Sequence, residues 1–192
     1  MAFSDFETEQ IYKALLAEAR HCAATLGMRK TSVDQLTQAV GISKGSFYKF
    51  FDSKELLFFA VLEDIHTELY EVADRALREH IGLPPAERAA TAILAVCRRM
   101  SETGVMAFIE NDVTSLLQRL PENIKSEHYH DDETHIRALL ESNALIPNGG
   151  AELATATVRG LILTISHKAQ IGARYPQVLD LLVHGACIEL FS

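Results

Sequence analysis

The sequence predicts an all-α protein in which a short N-terminal unit of three helices precedes a larger helical body. Three observations carry this. Apolar residues recur at three- and four-residue spacing almost everywhere. All five prolines and seven of the ten glycines fall between the periodic segments. No stretch alternates apolar and polar residues as a half-buried strand would. At 192 residues, 48% apolar and 23% charged, the chain has an ordinary globular composition and can bury a core in one or two domains.

The first helix covers about residues 7–26, with Ile11, Leu15, Ala19, Cys22, Ala23 and Leu26 on one face and Gly27 as its stop. Ser32 and Gln35 form a capping box for a second, brief helix that carries Val33, Leu36, Ala39 and Val40 and ends at Gly41. Ser43 caps a third helix reaching about Phe51. Asp52 is expected to cap the long fourth helix, about residues 53–80, with Glu55 in the box position; Gly82-Leu83-Pro84-Pro85 closes it. Further helices are expected over about 86–102, 105–120, 122–142, 151–171 and 176–191. The polarity of Ser126 to Glu133 leaves a break in the seventh open.

Three scattered cysteines, Cys22, Cys97 and Cys187, form neither a disulfide framework nor a zinc spacing. The N-terminus lacks a basic start followed by an apolar run, and no apolar run approaches the ~20 residues of a membrane span. A cytoplasmic protein is expected. Net charge is −8, which disfavours polyanion partners, yet its distribution is uneven. Residues 59–192 carry all of that excess, whereas 29–54 hold five cations (Arg29, Lys30, Lys44, Lys49, Lys54) against two anions (Asp34, Asp52). An anionic partner should meet this segment.

The second and third helices, joined by Gly41-Ile42-Ser43, have the form of a helix-turn-helix. On a helical wheel Phe47, Phe50 and Phe51 share one side and dock inward. Gly45, Tyr48 and Lys49 face outward, with Lys44 and Ser46 on the flanks. That edge suits a DNA groove. Gly45 lets the backbone come close, Lys44 and Lys49 reach phosphates or base acceptors, Ser46 can touch a base edge, and Tyr48 can donate to a phosphate. Thr31 and Ser32 are placed to offer hydroxyls and backbone N–H groups. Lys54, unfavourable in the first turn of a helix, is explained by a nearby phosphate.

Residues 41–57, GISKGSFYKFFDSKELL, closely resemble the helix-turn-helix of the TetR/AcrR family of transcriptional regulators, and the resemblance extends over about residues 7–62. Position 47 is Phe where such proteins often have Leu, a change expected to affect packing only. The resemblance implies an N-terminal helix-turn-helix DNA-binding domain (residues 1–52) and a C-terminal helical ligand-binding and dimerisation domain (53–192). It also implies DNA-contact positions at Thr31, Ser32, Lys44, Gly45, Ser46, Tyr48, Lys49 and Lys54. The partners are then a pseudo-palindromic operator in double-stranded DNA, a second copy of the chain and a largely apolar small-molecule effector.

For the dimer seam the last two helices offer Leu153, Thr157, Gly160, Thr164, Leu181, Leu182, Gly185 and Ile188. Mid-helix Gly160 and Gly185 each cost up to ~1 kcal/mol relative to alanine, which close helix approach would explain; a tight intrachain contact explains them equally. For the effector pocket the candidates are Cys97, Met100, Met106, Phe108 and Leu116, with Asn111, Asp112, Arg159 and His167 as polar anchors. Methionine and phenylalanine at helical spacing also fit plain core. The run His128 to His135 offers imidazoles and carboxylates, but its dense charge marks a solvated surface, and no metal or cofactor is expected.

The function expected is a ligand-responsive DNA-binding regulator, a repressor released when its effector binds. An activator of the same architecture is the alternative. A helical-bundle enzyme is disfavoured, since no paired carboxylates, Gly-rich phosphate loop or located nucleophile is found.

Overall fold

The computed structural model describes the backbone of residues 3–192, and the side chains of all of these except 127–133. Among the described residues every regular element is helical. The elements are α1 (Asp5–Thr25), a 3-10 turn (Met28–Lys30), α2 (Val33–Val40), α3 (Lys44–Phe47), α4 (Lys54–Glu79) and α5 (Pro85–Thr103). Next comes α6, residues 105–119, an α-helix interrupted by the π-segment Ile109–Val113. Then follow α7 (Glu122–Ser142), α8 (Gly150–Leu163) and α9 (Tyr175–Phe191).

α7 spans Glu122–Ser142 as one helix, without a break at Ser126–Glu133. Two local expectations are revised. The expected helix over 151–171 changes to 3-10 geometry at Thr164–His167 and ends in one further turn, Lys168–Ile171. At the start of α4 it is Ser53, not Asp52, whose hydroxyl accepts the Leu56 N–H at 3.1 Å. Glu55 instead pairs with Arg119 at 3.2 Å.

The chain forms two compact units, and they do not divide at residue 52. One comprises residues 1–66 with 104–122; the other comprises 67–103 with 123–192. In the first, α1 packs on α2 and α6, and α2 on α3. Its core is Leu15, Ala19, Met28, Leu36, Phe47, Leu57, Phe58, Phe108 and Leu116. The Phe58 and Phe108 rings lie 6.0 Å apart and are both fully buried, which is why the α6 segment belongs with the N-terminal helices.

In the second unit α9 packs along α5. α5 buries Ala89, Ala90, Ala92, Val96, Cys97 and Met100, and α9 buries Tyr175, Leu179, Val183, Cys187 and Leu190. The small residues of α5 allow close approach, so this pair forms the spine of the unit. Arg88, buried in α5, donates to the Asn143 carbonyl at 2.6 Å, just past the end of α7. Asn143 in turn donates to Asp74 of α4 at 3.2 Å. Asn148 caps the far end of α9, its N–H 2.7 Å from the Leu190 carbonyl.

Candidate nucleic-acid interface

The helix-turn-helix is built by local hydrogen bonds. Ser32 accepts the Gln35 N–H at 3.2 Å, and its own N–H donates to the Gln35 side chain at 2.8 Å, completing the expected capping box. Gly41 stops α2 in the left-handed region (φ 77°, ψ 29°), a conformation that suits a residue without Cβ. The Ile42 N–H closes the turn on the Thr37 carbonyl at 3.0 Å. Ser43 then caps α3, accepting the Ser46 N–H at 3.1 Å. Turns carried by the Phe50 and Phe51 N–H groups, both on the Phe47 carbonyl, follow the end of α3 as far as Phe51.

α3 is oriented by its aromatic side. Phe47 is fully buried and Phe51 nearly so. Phe51 stacks on Tyr12 of α1 at 5.4 Å, and Phe50 meets Phe3 at 6.2 Å. The Phe47 ring also makes an edge contact with Tyr48, centroids 5.3 Å apart.

The outward side carries Lys44, Gly45, Tyr48 and Lys49, all exposed. Tyr48 is 49% exposed. The Lys44 ammonium donates to Asp34 at 3.1 Å, and that of Lys49 sits 5.5 Å from the Phe3 ring centroid. Ser46 is half-buried, its hydroxyl 2.9 Å from that of Ser43. An added Cβ at Gly45 would meet nothing closer than the Ser43 hydroxyl at 3.9 Å. The fold itself therefore leaves the flank of Gly45 clear. Ser32 is exposed at the start of α2.

Two expected contact residues are placed otherwise. Thr31 is 1% exposed, and its hydroxyl donates to the Gly27 carbonyl at 2.9 Å. Lys54 donates to the carbonyls of Met28 at 2.8 Å and Thr31 at 2.7 Å. These acceptors, rather than a phosphate, satisfy the cation in the first turn of α4. Conversely, Lys30 stands exposed just before α2, although no role follows for it from the sequence beyond its place in the cationic segment. The contact of Phe3 with Lys49 and Phe50 has no sequence signal, because it joins chain segments nearly fifty residues apart.

The pocket candidates are shared between the two units. Cys97, Met100, Arg159 and His167 fall in the second, and Met106, Phe108, Asn111, Asp112 and Leu116 in the first. Cys97 and Met100 are buried in the α5 core, and burial pushes the Cys97 thiol up to about 11. Asp112 is buried and accepts the Met28 N–H at 2.8 Å, while Asn111 donates to the Ala107 carbonyl at 2.8 Å. Both are thus committed to backbone groups of the first unit. Arg159 and His167 are exposed, with His167 3.0 Å from the Gln170 amide oxygen.

Of the dimer candidates, Leu153, Leu181, Leu182 and Ile188 are exposed, at 51%, 73%, 40% and 56%. Gly160 and Gly185 are exposed, and a Cβ at either would meet nothing within 4 Å. Neither glycine is required by a contact within the subunit. Leu163, 60% exposed, extends this apolar side of α8. Thr157 and Thr164 donate to carbonyls of their own helix, and Thr164 also meets the Tyr175 hydroxyl at 3.2 Å.

The His128–His135 run lies largely outside the described side chains. Its last member, His135, stacks on Tyr70 with centroids 5.3 Å apart. Among the described residues no three metal-ligating side chains gather, and no helix is long and apolar enough to cross a membrane.

Comparison with known proteins bears on the same segment. Residues 15–61 match the model of the bacterial regulatory proteins of the tetR family. A curated protein of Mycobacterium tuberculosis, the HTH-type transcriptional repressor Rv1474c, is 36% identical over 63 residues, which is 33% of this chain and 34% of the relative. The match thus spans about a third of that relative's length. The likeness in fold extends over more than nine-tenths of the chain. A transcriptional regulator from Aquifex aeolicus VF5 is 21% identical with a TM-score of 0.57, covering 91% of this chain and 96% of its own. NalD, the secondary repressor of the MexAB-OprM multidrug efflux pump in Pseudomonas aeruginosa, is 18% identical with a TM-score of 0.60, covering 97% and 98%. Through its helix-turn-helix, residues 15–61, the chain is similar in sequence to the tetR family of bacterial regulatory proteins.

Proposed function

We propose that the protein is a homodimeric transcriptional repressor that reads a pseudo-palindromic DNA operator with α3. The observation that carries this is the outward side of α3. Gly45 stands in the first turn of α3, two residues past its Ser43 cap, and no contact within the fold needs it to lack a side chain. A duplex approaching the backbone supplies the missing reason. Around it stand Lys44, Tyr48 and Lys49, two cations and a phenol hydroxyl, with Ser32 and Lys30 at the start of α2. The repressor sense is supported by the M. tuberculosis relative, a transcriptional repressor.

The dimer reading is supported by the exposed apolar side of α8 and α9, with Leu153, Gly160, Leu163, Leu181, Gly185 and Ile188. A two-fold axis there gives paired recognition helices and hence a two-fold operator. For the effector we infer a small, largely apolar molecule held by the C-terminal helices, as the family resemblance implies. Release follows only if it binds the DNA-competent and DNA-incompetent states unequally.

The test is selection of duplexes by the purified protein from a random-sequence pool, followed by footprinting. An enriched inverted repeat protected on one side of the duplex is expected. Enrichment of no sequence would reject the proposal.

A further inference from the structure

The turn between α1 and α2 has few bonds of its own. Residues Met28–Lys30 make one 3-10 turn, closed by the Thr31 N–H on the Met28 carbonyl at a long 3.3 Å and by the Thr31 hydroxyl on the Gly27 carbonyl at 2.9 Å. α2 begins after only Thr31 and Ser32, so this turn sets the direction in which α2 and α3 leave α1. Bonds from outside the turn add to the two it makes itself.

Two charged side chains from distant parts of the chain converge on it. Asp112, 3% exposed in the π-segment of α6, accepts the Met28 N–H at 2.8 Å. Lys54, in the first turn of α4, donates to the Met28 carbonyl at 2.8 Å and the Thr31 carbonyl at 2.7 Å. The N–H and the C=O of one residue are thus each held by an ionised group, and such bonds are stronger than neutral ones. Arg29 lies against the same α6 turn, its guanidinium 3.2 Å from the Asn111 carbonyl and 3.8 Å from the Asp112 carboxylate. Gly27 admits the carboxylate. It has φ +80°, and a Cβ there would stand 2.9 Å from the Asp112 oxygen.

We propose that Asp112 and Lys54 are positioning residues for DNA reading: they clasp the Gly27–Thr31 turn and so fix the placement of α2 and α3 for the groove. The clasp rests on the DNA-reading proposal above. It gives Lys54 a different task from a phosphate contact and takes Asp112 out of any effector pocket. Groove contacts depend on where the backbone of the reading helix lies, so a loosened turn weakens every contact together without removing one.

The probe is the duplex that the wild-type protein enriches, with affinity measured across a salt series. For Asp112→Asn, about a tenfold loss of affinity is expected, with an unchanged salt slope and unchanged helix content by circular dichroism. Lys54→Met is expected to cost a similar factor with a slope change well below one. The double variant should lose less than the product of the two, since both act on one turn. Amide exchange at Met28 should quicken at least tenfold in each variant while that at Leu36 stays as in the wild type. Should Asp112→Asn fail to fold, Asp112→Glu, which keeps the charge and displaces the carboxylate, takes its place. Wild-type affinity in the variants overturns the positioning role. A slope reduced by about one in Lys54→Met makes Lys54 a direct phosphate contact and overturns its part in the clasp. If the wild-type protein enriches no duplex, DNA reading itself fails and this role with it.

Discussion

Across the helix-turn-helix, the Lys44 ammonium donates to the Asp34 carboxylate at 3.1 Å, joining the start of α3 to the first turn of α2. Both side chains are exposed, so the pair itself adds little to stability. Its effect falls on binding, because a cation held by Asp34 is partly neutralised toward phosphate. Asp34→Asn should therefore raise affinity for the enriched duplex about two- to tenfold and steepen the salt slope by up to ~0.9. It should cost ~0.3–1 kcal/mol of stability, since Asp34 also favours the α2 N-terminus. Unchanged binding would show that Lys44 does not reach the DNA backbone.

Gly45 offers a test in which stability and function move oppositely. With nothing inside the fold to meet a methyl group, Gly45→Ala should stabilise the protein by up to ~1 kcal/mol in a denaturant titration. Its DNA affinity should fall at least tenfold. A variant both more stable and fully active would show that the duplex keeps its distance from α3.

Tyr48 and Lys49 probe the outward edge itself. Tyr48→Ala should weaken operator binding about tenfold while leaving the melting temperature within a degree or two, because the ring is half exposed. Lys49→Glu should abolish binding at ordinary salt by placing a like charge against phosphate. Retained affinity in Lys49→Glu would mean that another element does the reading.

The exposed apolar side of α9 is testable by sedimentation. Leu181 is 73% exposed in the single subunit, so Leu181→Glu has no intrachain contact to break. Monomers with native helix content are expected. A dimer that survives the change would place the seam elsewhere.

Burial holds the thiols of Cys97 and Cys187 protonated, each pushed up to about 11 from an ordinary value of 9.0. The folded state therefore binds these protons more tightly than the unfolded chain. Their contribution to stability is complete below pH 9 and is lost as the pH climbs through about 11. Iodoacetamide at pH 8 should alkylate both only as fast as the protein unfolds. Rapid labelling of Cys97 in the folded protein would contradict its burial.

Local chemistry was readable wherever cause and effect lie within a few residues. The Ser32–Gln35 box, the Gly41 stop, the Ser43 cap and the inward Phe47 all follow from neighbours at three- and four-residue spacing. The sequence points to Asp52 as the cap of α4, one residue before Ser53, because both are good caps and only the helix direction selects between them. The grouping of α6 with the N-terminal helices was not readable, since it depends on the Phe58–Phe108 contact between segments fifty residues apart.

The sequence by itself determined that the chain is helical, where its helices begin and stop, and that the cationic, hydroxyl-bearing edge of α3 is set against its phenylalanines. Periodicity and capping are short-range, so they are written in consecutive residues. Only the tertiary structure decided which polar groups remain available. Thr31 turns inward, Lys54 binds carbonyls 23 and 26 residues upstream, and Asp112 reaches an amide 84 residues away. A charged or hydroxyl side chain takes whichever partner the packed chain brings within 3 Å, and that partner is not encoded at any fixed distance along the sequence.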